Sequence, residues 1–275
     1  MTQPSPARAE PLPLVDSHCH LDRLDLTAHH GDLGAALRAA EAAGVGHMLC
    51  IGVDLETFPD VLALAEQWPQ VFATVGVHPL YRKSRAATLD ELIQHAAHPK
   101  VVAIGETGLD YFYAGDDPSW QHTRFITHIQ AARATGLPLV VHTRDAREDT
   151  LALVREHGGA EVRGVLHCFT ENLAMAEAAI DMGFMISISG IVTFNNAADL
   201  REVVRALPVE SLLIETDSPW LAPVPYRGKP NEPRHVAEVA RCVADLKGMS
   251  VADLAAQTRA NFFSLFSKAV PVEAS

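Results

Sequence analysis

Apolar residues recur along this chain in short runs, separated by longer stretches of helical period. Runs that read as buried strands fall at 14–18, 47–53, 71–77, 101–105, 138–142, 164–168, 184–188 and 211–215. Between them lie Ala- and Leu-rich segments whose apolar positions recur with helical spacing: Asp32 to Ala43, Glu56 to Gln67, Leu89 to Ala97, Trp120 to Thr135, Ala146 to His157, Asn172 to Met182 and Ala197 to Ala206. Two further helices are expected after the last strand, Pro233 to Leu246 and Val251 to Phe266. Gly44, Gly136, Gly158 and Gly183 each follow a helical pattern, at the C′ position where glycine ends helices. Strands alternating with helices in this number predict the α/β class, as a single-domain (β/α)8 TIM barrel. The rival is an open doubly wound sheet, which would bind its ligand at one switch point.

The polar residues that end the runs choose between the two. Val15-Asp16-Ser17-His18-Cys19-His20 closes the first run. Glu106 follows the fourth, His142 ends the fifth, His167 the sixth, and Asp217 follows the eighth. A closed ring brings these ends together, whereas an open sheet would leave the first and last strands apart unless its order rejoined them. His18 and His20 stand at i, i+2, which on a strand places both imidazoles on one face. Glu106 directly after a buried strand needs a partner or a cation, because an unpaired buried charge is costly. A carboxylate can bridge two cations through its two oxygens, and a neutral imidazole cannot, so Glu106 is the best candidate for a bridging ligand. Each residue alone also has a plainer reading, an ion pair with arginine for Glu106 and a satisfied core imidazole for each histidine. Their common placement at strand ends favours metal ligation. Asp217 could both bind a cation and take a proton from bound water.

Length and composition narrow the picture further. A chain of 275 residues suits one large domain. The expected layout is a disordered leader over 1–13, the barrel over 14–268 and a tail over 269–275. A net charge of −12 argues against a general nucleic-acid coat, yet leaves room for a metal site with a few local arginines. Cys19, Cys50, Cys168 and Cys242 form no C-x-x-C pair and read as reduced thiols of a cytoplasmic protein. No run reaches the ~20 apolar residues of a membrane span, and no targeting segment is visible.

With these motifs in place the chain resembles the TatD family of metal-dependent deoxyribonucleases, within the amidohydrolase-type barrels. The resemblance rests on Asp16-Ser17-His18-Cys19-His20-Leu21-Asp22, Gly76-Val77-His78-Pro79, Ile104 to Tyr111, His142-Thr143-Arg144-Asp145-Ala146, His167-Cys168-Phe169-Thr170, Ser187 to Gly190 and Glu215 to Leu221. Arg227 to Pro233 and Asn261 to Phe266 extend it, so that it spans about 14 to 268. Thr170 stands where glycine is common in the family. The resemblance implies a divalent-metal-dependent hydrolase of DNA phosphodiester bonds. It further implies a 3′–5′ exodeoxyribonuclease preferring single-stranded ends, with a metal-bridging water as nucleophile. One cation would be held by His18, His20, Glu106 and Asp217, and a second by Glu106, His142 and His167. His78 would line the pocket. Asp217 and Glu106 would be the catalytic pair, and the two ions would be Zn, Mn or Mg.

Substrate contacts must come from elsewhere. Arg144 and Arg147 follow the fifth strand, and Arg227, Lys229 and Asn231 lie in the long loop after the eighth. Arginine can clamp phosphate oxygens, although each could instead pair with an acid. Tyr111, Phe112, Tyr113 and Trp220 offer faces on which a base could stack, with core packing the alternative for Phe112. Glu215, two residues before Asp217, is expected to point to the same side, where pairing with one of the basic groups is the alternative to binding metal. A second functional reading keeps the metals and changes the bond, to ester or amide hydrolysis such as that of a D-aminoacyl-tRNA deacylase. A metal-dependent adaptor is disfavoured, because it would not need a full ligand set. The expected partner is DNA, at single-stranded ends, acted on by a monomer away from any membrane.

Overall fold

The computed structural model describes residues 13–114 and 118–272. The expected leader therefore falls outside the described residues except for Pro13, as does the end of the expected tail. Eight parallel strands form one sheet in sequence order: β1 (Leu14–Cys19), β2 (Val45–Cys50), β3 (Val71–Val75), β4 (Val101–Asp110), β5 (Leu139–Arg144), β6 (Gly164–Leu166), β7 (Phe184–Ile188) and β8 (Leu212–Ile214). The helices that follow them are α1 (Leu33–Ala42), α2 (Phe58–Gln67), α3 (Leu89–Ala96), α4 (Ser119–Thr135), α5 (Arg147–Gly158), α6 (Leu173–Asp181), α7 (Ala198–Ala206), and then α8 (Val236–Lys247) and α9 (Val251–Leu265). Each expected strand and helix is present. This is a single-domain TIM barrel.

The sheet curls until β8 meets β1. A backbone bridge joins Cys19 and Ser218. Beside it the Asp217 N–H donates to the His18 carbonyl at 2.9 Å, and the His20 N–H to the Ser218 carbonyl at 2.8 Å. Buried side chains complete the seam. The Asp16 carboxyl accepts from the Thr216 N–H at 2.9 Å and the Thr216 hydroxyl at 2.6 Å, and the Ser17 hydroxyl donates to the Ile214 carbonyl at 3.0 Å.

Strand periodicity explains why the interior changes character along the axis. Val140, Val165 and Leu213 belong to an apolar cluster with Phe262 of α9 and Phe266 just past its end. Two residues further along the chain from these stand His142, on β5, and His167 and Glu215, just past β6 and β8. Helix α9 plugs the N-terminal ends of the strands. From it, Asn261 donates to the carbonyls of Val209 and Leu212, and Lys268, just beyond, donates to those of Ala96 and His98. One end of the ring is thus an apolar plug and the other a polar mouth.

Two sequence expectations need correction. Helix α5 runs through Gly158, and Gly159 (φ 63°) takes the capping position. Gly158 packs too close to Val162 for a side chain, its virtual Cβ lying 3.0 Å from the Val162 Cβ. Its glycine thus serves packing, and the stop belongs to its neighbour. Strand β4 does not end at Gly105 but continues to Asp110. The apolar run stops where the strand turns its polar residues inward, so hydropathy placed the end too early. Pairing with β5 shifts register between Ile104 and Thr107, and Gly105 (φ 145°) lies in that shift. A Cβ there would meet the Val140 carbonyl oxygen at 2.5 Å. Only glycine lets the two strands approach this closely.

Candidate active site

The six expected ligands converge at the mouth. His18 lies on β1 and His20 just beyond it, Glu106 within β4, His142 on β5, His167 after β6 and Asp217 after β8. The His18 Nε2 lies 3.3 Å from the His20 Nε2, 3.5 Å from the Glu106 Oε2 and 3.6 Å from the Asp217 Oδ1. The His20 Nε2 is 3.5 Å from the same Asp217 oxygen. On the other side of Glu106, its Oε1 lies 2.8 Å from the His167 Nε2 and 3.4 Å from the His142 Nδ1. One carboxylate therefore faces both clusters with different oxygens.

His78, expected to line the pocket, reaches the Glu106 Oε1 at 3.1 Å through Nε2. Its Nδ1 accepts from the Leu80 N–H at 3.1 Å, so the proton of the neutral ring sits on Nε2 and points at Glu106. Burial lowers the His78 pKa and keeps that ring neutral. Asp217 holds a left-handed backbone (φ 55°), as does Cys168 (φ 44°) beside His167. Such backbone at non-glycine residues clusters where structure serves a site.

The donors fit a divalent cation. Imidazole nitrogens and carboxylate oxygens are the ligand types of Zn and its neighbours. The His18, His20 and Asp217 donor atoms lie close enough together to share one ion, and Glu106 and His142 stand equally close on the other side, with His78 beside them. The His167 Nε2 is buried and only 2.8 Å from Glu106, yet makes no aligned hydrogen bond.

Electrostatics agree. The rings of His18 and His167 stack at 3.8 Å, so both cannot carry charge. Burial, together with the neighbouring His167, lowers the His18 pKa. Burial also opposes charge on His167, but Glu106 and Glu215 outweigh it and raise that pKa well above the usual value. For Glu106, burial resists ionisation, and the surrounding imidazoles overcome it and hold the carboxyl well below its ordinary range. The balance is the same at Asp217, where His20, His18 and His167 keep the carboxyl ionised. The centre is a buried negative charge awaiting positive charge.

Glu215 differs from expectation. Among the described residues it pairs with no arginine. Its Oε1 accepts from the Cys168 N–H at 2.9 Å and lies 3.3 Å from the His167 Nδ1, which turns the His167 Nε2 towards Glu106. Asp110, not singled out from sequence, does the same for His142 through a 2.9 Å contact between Oδ2 and Nε2. The far nitrogens of His18 and His20, by contrast, are buried without hydrogen-bond partners among the described residues. The signal for Asp110 lay in the Gly-Leu-Asp that follows Glu106, but hydropathy had placed it beyond the strand.

The substrate candidates divide. Arg144 lies 4.0 Å from the ring of Phe112 and 4.9 Å from that of Tyr113, and both rings are largely exposed, Phe112 at 56% and Tyr113 at 62%. Phe112 is therefore not a core residue. Trp220 is also exposed, its ring centroid 5.0 Å from that of His20 in a T-shaped contact. Arg227 is exposed and stacks on Phe194 at 4.1 Å, and Lys229 is exposed. Three candidates are otherwise engaged. Arg147 pairs with Glu171. The Tyr111 hydroxyl is held by Asp149 and His122. Asn231 is buried, its amide donating to the carbonyls of Thr216 and Trp220 and its oxygen facing the Glu232 N–H and His235. It braces the loop that carries Asp217 and does not face the mouth.

A barrel whose mouth gathers these histidines and carboxylates defines a metal-dependent hydrolase. The family model for TatD related DNase matches residues 15–267. The chain belongs to this family. It is 47% identical over 253 residues to the uncharacterized metal-dependent hydrolase YcfH of Escherichia coli (strain K12), covering 92% of this chain and 95% of that protein. It is 39% identical over 255 residues to the uncharacterized metal-dependent hydrolase TatD of Mycobacterium tuberculosis, covering 90% and 96%. The crystal structure of YjjV, a TatD homologue from Escherichia coli K12, superposes with a TM-score of 0.85 at 31% identity, covering 92% of this chain and 98% of that one.

Proposed function

We propose that this hydrolase cleaves DNA phosphodiester bonds from single-stranded 3′ ends, with two divalent cations shared through Glu106. The observation that carries the reading is the pairing of the His–carboxylate centre with an exposed Phe112–Arg144–Tyr113 stack beside it. A guanidinium suits a phosphate, and open ring faces suit an unpaired base. Cations bound there would activate a water and polarise a phosphoryl oxygen. Asp217, kept ionised by the imidazoles, would take the proton. His78 donates to Glu106 and fixes its carboxylate. His18 and His20 would offer ring nitrogens to one cation. A base-paired end would have to unstack before its terminal nucleotide entered such a mouth, at a cost of a few kcal/mol.

The test is a substrate panel with metal added back singly after chelation. It comprises a single strand labelled at either end, a blunt duplex of the same sequence, closed circular DNA and a D-aminoacyl-tRNA. Stepwise loss from the 3′ end of the single strand, faster than from the duplex, is expected. Hydrolysis of the aminoacyl ester with all DNA left intact would replace this reading with the deacylase.

A further inference from the structure

The geometry points to Asp110 as a positioning residue that holds the metal ligand His142 and the aromatic turn at Tyr113 in fixed register, one with each carboxylate oxygen. The Asp110 Oδ2 lies 2.9 Å from the His142 Nε2, and its Oδ1 accepts the Tyr113 N–H at 2.8 Å. The side chain is buried, at 1% exposure. Its backbone is clamped as well. The Asp110 N–H donates to the Gln121 Oε1 at 2.9 Å, and the Gln121 Nε2 donates to the carbonyls of Asp110 and Pro79, each at 3.2 Å. Gln121 of α4 is fully buried. It thus ties the end of β4 to the segment that carries His78.

The argument is one of donors and acceptors. With Asp110 ionised, His142 must present Nε2–H to it, which leaves the Nδ1 lone pair aimed at the centre beside Glu106. The Tyr113 N–H is a second donor, and a backbone donor cannot change its character. Two donors on two different oxygens require two acceptors, and among neutral isosteres none supplies them. An asparagine has one carbonyl oxygen and one amide nitrogen. It can satisfy His142 or Tyr113, but its nitrogen then confronts the other donor.

Glu215 provides the internal contrast. It too backs a ligand imidazole, but there both contacts, from the Cys168 N–H and the His167 Nδ1, fall on the single oxygen Oε1. The Glu215 Oε2 has no hydrogen-bond partner among the described residues. A glutamine can reproduce that pattern with its carbonyl. The two carboxylates therefore remove the same charge when amidated, but only one amide conflicts with its surroundings. By stacking Arg144 on Phe112 and Tyr113, the turn that Asp110 holds also sets where the guanidinium stands relative to the ion at His142.

The inference rests on the two-position reading of the centre proposed above. Its test uses no nucleic acid. Metal-free wild type, D110N and E215Q are dialysed against graded Zn, and bound metal is measured by mass spectrometry. Hydrogen exchange is followed over Tyr111 to Ala114, with circular dichroism as the fold check. D110N is expected to hold the second equivalent about 10–100-fold more weakly, to exchange the Tyr113 segment faster, or both. E215Q should lose less affinity and leave that segment unchanged. In wild type itself the Tyr113 amide should be protected although its side chain is exposed. An unprotected wild-type amide overturns the inference even if D110N fails to fold. So does D110N with normal affinity and normal exchange. Equal losses in D110N and E215Q with exchange unchanged would mean that charge alone acts, and would overturn it too. Wild-type stoichiometry tests the underlying reading separately, since a single equivalent ends the two-position centre whatever the variants do.

Discussion

The ring is built in two ways on opposite sides of the same centre. Between β4 and β5 the pairing runs from Ile104 with Leu139 to Asp110 with Arg144, and α4 backs it with buried Gln121, Arg124 and His128. Between β1 and β8 a lone backbone bridge carries the closure, and Asp16 and Ser17 finish it with side chains. The wall delivers His142 from within a paired strand. The seam delivers Asp217 three residues past the end of β8, on left-handed backbone. Imidazoles on the wall side are backed by carboxylates, and those on the seam side are not. A ligand can thus be fixed by ladder hydrogen bonds or by a buried polar network. The second leaves more room for its carboxylate to respond to a proton.

The largest effect is expected on the seam side. Asp217→Asn keeps one coordinating oxygen and removes the basic site, so turnover should fall by roughly 10²–10⁴ while substrate binding changes far less. The assay needs saturating metal, so that lost affinity is not counted as lost chemistry. Near-normal kcat would make Asp217 a structural residue and move the proton acceptor to the Glu106 side.

Hydropathy made the barrel legible because every strand of a closed parallel ring is buried on both faces and stands out as an apolar run. The ligand set was legible for a related reason, since a polar residue ending such a run has few purposes. What stayed hidden were contacts between residues distant in sequence. Nothing local to Asp16 says that it closes the ring against Thr216, 200 positions away. Nothing local to Glu215 says that its partner is His167, and Asn231 read as a substrate contact because the partners that hold its side chain come from other segments or from the turn itself. Strand β4 was read short because its second half is polar on the inside.

Acid should separate wall from seam. The His128 Nε2 accepts the Val77 N–H at 3.0 Å, and its Nδ1 donates to the Arg124 carbonyl at 2.7 Å, so the ring fits only when neutral. Burial, with the Arg124 charge adding to it, lowers its pKa from 6.5 to about 4. The folded value lies below the unfolded one. Above pH 6.5 the ring is neutral in both states, and as pH falls towards 4 the unfolded chain gains a proton that the folded chain refuses. Stability should drop by about 3 kcal/mol across that window, with the Val77 amide losing protection early. Asp16 runs the other way. Burial pushes its carboxyl up to about 8, so its contribution is complete below the ordinary carboxylate value and is lost as pH rises through 8. Denaturant melts of the metal-free protein at pH 4.5, 6.5 and 8.5 check both signs. A His128→Gln variant with the full wild-type acid slope would remove His128 from the account.

The smallest expected effect asks which side receives the base. Phe112 and Tyr113 hang from the wall through Asp110, whereas Trp220 hangs from the seam and touches His20 with its edge. Removing one stacking ring costs about 1–3 kcal/mol per base. Phe112→Ala should therefore raise KM for a short single strand by roughly 5- to 150-fold with kcat little changed, because the ring contacts Arg144 and Tyr113 but no ligand atom. Arg144→Ala should show the same bias, since it removes both the phosphate contact and the support beneath the rings. Trp220→Ala should lower kcat as well, through its contact with His20. Steady-state rates for the three variants on one oligonucleotide decide the matter. If Trp220→Ala alone raises KM and Phe112→Ala leaves it unchanged, the base enters along the seam, and the exposed rings of the wall serve another purpose.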